Sequence, residues 1–408
     1  MKRIGMLTSG GDCQSLNATM RGVVKGLNVL EGTVEIYGFI DGYKGLIYGN
    51  YKRLTSKDFS GILTTGGTIL GTSRQPFKLM RTPDENGLDK VEAMKSTYRY
   101  LDLDCLVVLG GNGSQKTANL LREEGLNIVS LPKTIDNDLV GIDHSPGFGS
   151  AAKYIALAVK NVAYDTSIYS IKSVHIIEAM GRNAGWLTAA SALARDGDSV
   201  APHLIYLPEI PFSVDKFVDD VKGKLDEYNS VIVVVSEGIK DENGEYISAR
   251  GDKVDKFGHV MLSGTGAYLK SVVEERIGCK VRALEPSVLQ RSAGHTASMT
   301  DVTEAYNLGV VAVKAALDGK TGVFSTLRRI SDLPYTVDYY TEQVSVVANN
   351  EKLVPRSWIN EQGNDVTNKM IEYLSPLVKG VPQVPYRNGL PDYIGLSHLD
   401  VKKQKYSD

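Results

Sequence analysis

Seven consecutive residues, Pro132-Lys133-Thr134-Ile135-Asp136-Asn137-Asp138, bring two carboxylates, a hydroxyl and an ammonium together directly after the apolar run Asn127 to Leu131. An ionised carboxylate at such a place can take the proton of an attacking hydroxyl. Two carboxylates this close raise each other's pKa, so Lys133, an arginine and a divalent cation are needed to keep Asp136 charged. An Asx turn would describe the Asp-Asn-Asp backbone but leaves the adjoining Lys and Thr unexplained. Upstream, three Gly-Gly pairs each follow an apolar stretch: Gly10-Gly11 after Ile4 to Leu7, Gly66-Gly67 after Ile62-Leu63, and Gly110-Gly111 after Cys105 to Leu109. Paired glycines let backbone N–H groups approach a polyanion that a Cβ would hold off. Phosphate-binding turns beside an acid/base cluster imply phosphoryl transfer.

Strand-like apolar runs recur at Ile4 to Leu7, Val34 to Ile40, Leu106 to Leu109, Ile128 to Leu131, Val174 to Ile177, Leu204 to Leu207 and Val231 to Val235. Helical periodicity fills most of the intervals, as in Ser15 to Leu30, Lys90 to Leu101, Gln115 to Glu124, Gly149 to Val162 and Val214 to Tyr228. This alternation predicts an α/β fold of two doubly wound, Rossmann-like domains with parallel sheets. The Gly- and Asp-rich stretch Asp136 to Gly149 separates two sets of these units, which puts the active site in a cleft between domains. The residues after about Thr341 are richer in proline and end on the polar Lys402-Lys403-Gln404-Lys405. They read as a surface wrap or a subunit-packing element, with regulation as the alternative.

The 408 residues are 42% apolar and 23% charged, an ordinary globular composition. Forty-six basic against 48 acidic residues give a net charge of −2, so no global field draws the chain to nucleic acid or to an anionic membrane. Three widely spaced cysteines, Cys13, Cys105 and Cys279, form neither a disulfide framework nor a metal motif, and fit a reducing cytoplasm. The apolar runs are too short to span a bilayer, and the six histidines lack metal-ligand spacing.

Leu7-Thr8-Ser9-Gly10-Gly11-Asp12, Gly110-Gly111-Asn112-Gly113-Ser114, Thr134 to Asp138, Met180-Gly181-Arg182, Ser236-Glu237-Gly238 and Gln290-Arg291 occur in the order and approximate spacing of the 6-phosphofructokinases, which the chain resembles over about residues 1–330. The resemblance implies transfer of a phosphoryl group to the 1-hydroxyl of fructose 6-phosphate, with Mg²⁺ as cofactor. It also implies a donor domain of residues 1–147 plus about 290–340, a sugar-phosphate domain of 148–289, and an extension of 341–408 packing on the core. Asp136 is then the base, aided by Lys133, Asp138 and Arg182. Donor phosphates would meet Gly11, Arg74, Gly111, Asn112, Gly113 and Ser114, with Tyr43 lining the nucleotide pocket. The sugar phosphate would meet Thr134, Ile135, Asp136, Met180, Gly181, Arg182 and Glu237, and its 6-phosphate would be clamped by Arg282 and Arg291. Asn112 stands where the family commonly has a metal-side aspartate, so Asn112 and Asp136 would hold Mg²⁺ with help from the donor. One basic residue of the clamp crosses between subunits in relatives, which implies a homodimer or homotetramer.

This chain departs from the short family members at several positions. Cys13-Gln14-Ser15-Leu16 replaces Ala-Pro-Gly-Met, Val288 replaces a His or Tyr, and Ser173 replaces a bridging Arg for which Lys172 or His175 would substitute. Arg21 and Lys25, where allosteric members carry basic residues, read as a solvated helix face. For the donor, pyrophosphate users tend to have an aspartate at the position of Gly113, where its charge repels a nucleotide. Glycine there leaves room for ATP. Lys133, where ATP-only short enzymes have glycine, can stabilise a pyrophosphate leaving group but does not exclude ATP. ATP is therefore the favoured donor and pyrophosphate the alternative. Gly-Gly-x-Gly-Ser alone also opens the sites of NAD and lipid kinases, and a silent sugar-phosphate sensor would keep the pockets. The complete Thr134 to Asp138 cluster, with Arg182, Glu237 and Arg291, speaks for the kinase reading.

Overall fold

The computed structural model describes residues 2–30, 34–250, 264–347 and 351–393. Strands β1 (Lys2–Ser9), β2 (Val34–Phe39), β3 (Tyr51–Leu54), β4 (Cys105–Gly110) and β5 (Ile128–Pro132) belong to one sheet. A second, all-parallel sheet holds β6 (Ser173–Ala179), β7 (Leu204–Tyr206), β8 (Ser230–Ser236) and β9 (Lys280–Leu284), in the order β7-β8-β6-β9. The chain then returns: β10 (Val323–Asp332) pairs parallel with β5 and antiparallel with β11 (Tyr335–Gln343), completing a seven-stranded sheet of order β11-β10-β5-β4-β1-β2-β3.

The centre of each sheet is made by the continuous apolar runs. Leu106, Val107, Val108 and Leu109 of β4 are fully buried, as are Val233, Val234 and Val235 of β8. A strand covered on both faces has no use for alternation. Each such side chain contributes about 1.5–3 kcal/mol on burial. The helix Leu16–Leu30 lies against the late helix Met299–Leu317, and glycine sets their separation: a Cβ on Gly22 would sit 1.9 Å from the Tyr306 carbonyl oxygen.

Two expectations change. Ile62 and Leu63 lie in a 3₁₀ turn, Ile62–Thr64, because two apolar residues give too little length to pair in a sheet. The following Gly66-Gly67 faces the segment after β1: the Gly67 amide donates to Cys13 O at 3.1 Å, Asn17 N donates to Gly67 O at 3.0 Å, and a Cβ on Gly66 would meet Gln14 Oε1 at 2.3 Å. This pair buttresses the first glycine turn instead of binding phosphate. Residues beyond Thr341 are also more than a wrap, since Val354, Ile359, Met370 and Leu374 join the same apolar cluster as β1 and β4. The basic stretch Lys402-Lys403-Gln404-Lys405 lies outside the described residues.

Candidate active site

β1 and β4 are parallel neighbours whose crossovers depart to opposite sides, to β2 and to β5. Their carboxyl ends therefore open a crevice at the point where strand order reverses. After β1, Gly10 turns with φ 95°, a conformation costly for any residue with a Cβ. After β4, Gly111 caps the helix Asn112–Glu123, whose amino end offers free N–H groups and a favourable dipole to an anion. Gln115 fixes this turn from below, donating to Gly110 O at 2.8 Å and Leu131 O at 2.9 Å. Gly113 is exposed, and a Cβ there would have no neighbour within 4 Å.

Lys133 leaves the end of β5, only 5% exposed, and its ammonium donates to the Gly11 carbonyl while its amide donates to Gly110 O at 3.1 Å. One residue thus joins both glycine turns, through its ammonium at the first and its backbone amide at the second. Burial lowers its pKa below the ordinary lysine value, against the opposing pull of Asp12 and Asp136.

The chain then enters the carboxylate loop. Asp136 N donates to Thr134 Oγ1 at 3.1 Å, and Asn137 adopts φ 55°, a left-handed conformation that Asn tolerates better than most residues. Burial, then the negative charge of Glu237, raises Asp136 to about 6, although Lys133, Arg182 and Arg291 favour its ionised form. Burial and the neighbouring Asp136 raise Asp138 to about 7.

Across the cleft, β6 and β8 end side by side. Ser236 Oγ donates to Gly181 O at 2.6 Å and the Gly181 amide donates to Glu237 at 3.3 Å, so the two strand ends lock each other. Gly238 has to be glycine here, because a Cβ would lie 1.8 Å from the Arg182 carbonyl oxygen. Burial raises Glu237 to about 7, and the buried Glu178 behind it adds to the shift.

One cleft of about 430 Å³ is lined by Gly11, Arg74, Gly111, Asn112, Gly113 and Ser114 from the first sheet's edge, by Lys133 through Asp136 and Asp138 from the loop, and by Met180, Arg182, Glu237 and Arg291. Three expected residues stand elsewhere. Tyr43 is fully buried and its hydroxyl donates to Ser114 O at 2.8 Å, so it supports the helix from beneath and lines nothing. Gly181 contributes its amide to Glu237 and does not line the cleft. Arg282 lies on β9 level with His175, exposed, beside Ser173 and Tyr169 in a separate recess. Arg291 reaches the cleft at an unexpected wall. A Cβ on Gly11 would be 3.3 Å from its Nη1, while the preceding Gln290 accepts from Met180 N at 3.1 Å. Adjacent residues thereby touch opposite walls. The cleft also takes in Gln75, Pro76, Phe77 and Asn183, which carry no motif signal in the sequence.

Among the described residues no three His, Cys, Asp or Glu side chains converge as a metal cluster. Two oxygen donors in the cleft, Asn112 Oδ1 and Asp138 Oδ1, are nonetheless buried without a hydrogen-bond partner. Oxygen ligands of this kind suit Mg²⁺, which keeps much of its shell from phosphates and water.

A family profile described as Phosphofructokinase matches residues 3–316. The pyrophosphate--fructose 6-phosphate 1-phosphotransferase of Xanthomonas campestris is 36% identical over 411 residues, covering 97% of this chain and 96% of that one. The ATP-dependent 6-phosphofructokinase of Spirochaeta thermophila is 39% identical over 335 residues, covering 80% of this chain and 87% of that one. Among solved structures, the pyrophosphate-dependent phosphofructokinase of Marinobacter aquaeolei superposes with a TM-score of 0.84 at 30% identity, covering 96% of this chain and 95% of that one.

Proposed function

The chain belongs to the phosphofructokinase family, and on that premise we propose that it transfers a phosphoryl group from pyrophosphate to the 1-hydroxyl of fructose 6-phosphate. The observation that carries this reading is the buried Lys133, whose ammonium holds the first glycine turn and whose amide holds the second, in one cleft with Asp136. Asp136 takes the proton of the 1-hydroxyl as that oxygen bonds to the terminal phosphorus and the bridging P–O bond of the donor breaks. Lys133 and the amides after β1 and β4 receive the charge that grows on the departing phosphate, and Arg182 stabilises the group in transit. Glu237 accepts hydrogen bonds from sugar hydroxyls. Arg291, whose guanidinium lies beside Gly11 while Gln290 holds the opposite wall, meets the sugar's 6-phosphate, and Arg282, on its separate face, completes the clamp of a neighbouring subunit in a homodimer or homotetramer. Asn112, Asp136 and Asp138 would hold Mg²⁺, which when bound neutralises donor charge.

This choice of donor reverses the order that Gly113 and Lys133 together suggest, in which ATP comes first. Relatives aligned over 93–97% of this chain are named for pyrophosphate, and among those aligned over 80% both donors occur. ATP remains the second reading because the space at Gly113 is open. Glycolytic phosphorylation in a reducing cytoplasm accords with three free cysteines and with the absence, among the described residues, of a helix long and apolar enough to cross a membrane.

Steady-state rates at saturating fructose 6-phosphate with each donor test the reading. Pyrophosphate should give at least about tenfold higher kcat/KM than ATP, a difference of about 1.4 kcal/mol. Turnover with ATP alone overturns the donor, and absence of fructose 1,6-bisphosphate with either donor overturns the function. Gly113→Asp should remove whatever ATP turnover exists and spare that with pyrophosphate.

A further inference from the structure

The carboxylate loop is held from behind by residues more than 200 positions away. Asn137, fully buried between the two aspartates, accepts from Lys352 Nζ at 3.3 Å and from Ser145 N at 3.0 Å, and donates to the Tyr373 hydroxyl at 3.0 Å. The Tyr373 hydroxyl in turn donates to Asp143 O at 2.7 Å, while the Lys352 ammonium also donates to the carbonyls of Ile142 and Asp143. The backbone takes part as well, with Lys352 N donating to Asp138 O at 2.7 Å. The same segment holds the opposite wall: Trp186 Nε1 donates to Lys352 O at 2.8 Å, Asn183 donates to Glu351 at 3.1 Å, and the ammonium lies 5.1 Å from the Trp186 ring centre.

We propose that Lys352 and Tyr373 are positioning residues for the phosphoryl transfer, acting through Asn137 to fix Asp136 and Asp138 against the acceptor wall. Three features of the geometry carry this. The side chain of Asn137 points away from the cleft, and its amide oxygen and nitrogen both bond to protein. Its left-handed backbone is a conformation the loop would leave at small cost without those bonds. Lys352 and Tyr373 each contact both the loop and Trp186, so the two side chains together set the distance between base and acceptor site. The ammonium also serves three oxygens at once, those of Asn137, Ile142 and Asp143, which an apolar side chain would leave unpaired. Reaction geometry is sensitive at this scale, where a 1 Å misplacement can cost about 100-fold in rate.

The inference rests on the proposed reaction, so the test has one arm that needs no turnover. Tyr373→Phe deletes a single hydroxyl and keeps the aromatic packing against Trp186 and Trp358; Lys352→Met keeps the stem and deletes the charge. Steady-state kinetics of both variants should give kcat lowered about tenfold for Tyr373→Phe and up to about 100-fold for Lys352→Met, with KM for fructose 6-phosphate within twofold of wild type. Hydrogen–deuterium exchange of peptides spanning residues 134–145 should rise in each variant, whether or not the wild-type protein turns over that sugar phosphate. Wild-type inactivity with protected peptides that open in the variants would sink the reaction and leave the clamp standing. Unchanged exchange, or kcat within twofold of wild type in both variants, would overturn the clamp. A Lys352→Met protein that fails to fold leaves Tyr373→Phe to decide.

Discussion

The two walls of the cleft hold their ligands in different currencies. The wall at the ends of β1 and β4 presents backbone N–H groups and a helix amino end, with one buried lysine tying the turns together. The wall at the ends of β6 and β8 presents long charged side chains, Arg182 and Glu237, locked by hydrogen bonds between neighbouring strand ends. Backbone dipoles bind phosphate charge without ordering a side chain and without regard to what the phosphate is attached to. Directional side chains recognise a particular pattern of hydroxyls. The first wall can thus serve more than one phosphoryl donor within a family, and the second cannot easily change its sugar. Between them stands the carboxylate loop, which belongs to neither sheet and is held by the C-terminal segment.

The largest effect should come from breaking the loop that joins the walls. Asp136→Asn keeps size and hydrogen-bonding shape but removes the base, and kcat should fall roughly 1,000-fold. KM for both substrates should stay within a few-fold, because each wall is intact. Steady-state kinetics would decide it: a large rise in the KM of one substrate with kcat preserved would move Asp136 from between the walls to one of them.

A smaller effect should distinguish the acceptor wall. Glu237→Gln keeps the Gly181 contact and loses a charged acceptor, which should raise KM for fructose 6-phosphate about tenfold while donor KM is unchanged. The pH profile carries a second mark. Asp136 acts as a base only when ionised, so kcat/KM should fall as pH drops through about 6. Glu237 is one cause of that raised pKa, and neutralising it should move the acid limb to lower pH. For folding the sign is opposite: raised carboxyl pKa values mean that the native chain binds these protons more tightly than the unfolded one, so their contribution to stability increases as pH falls through 7 and 6. A limb that stays in place in Glu237→Gln would show that the walls do not communicate electrostatically.

The same contrast explains what the sequence makes legible. Donor turns are local, an apolar run followed by glycines, and Gly10-Gly11 and Gly110-Gly111 fall where that pattern puts them; Gly66-Gly67 shares the pattern but lacks a strand before it. The buried strands β4, β5 and β8 are continuous apolar runs, whereas β9 and β11 mix exposed and half-buried residues and β10 is buried only over Val323 to Leu327, so none of the three gives a clear period. Arg182 and Glu237 are legible by motif, yet Lys352 and Tyr373 meet Asn137 across separations of 215 and 236 residues, and nothing in their neighbours' composition announces it. Arg291 shows the limit of order as a guide, since its place in the chain foretells the cleft but not the wall its guanidinium rests on.

The smallest predicted effect tests how far phosphate recognition on the donor wall rests on backbone amides. Tyr43 was expected in the nucleotide pocket, but its ring is buried beneath the helix Asn112–Glu123 and its hydroxyl donates to the Ser114 carbonyl at 2.8 Å. Burial holds that hydroxyl in its neutral, donating form. Tyr43→Phe therefore deletes one internal hydrogen bond to a carbonyl that also belongs to the helix ladder, at a cost of about 1 kcal/mol in chemical denaturation. Because the glycine amides face away from this contact, donor KM should stay within twofold of wild type and kcat within threefold. A donor KM raised tenfold or more at unchanged stability would put a side chain back on the first wall, and the contrast between backbone and side-chain recognition would have to be redrawn.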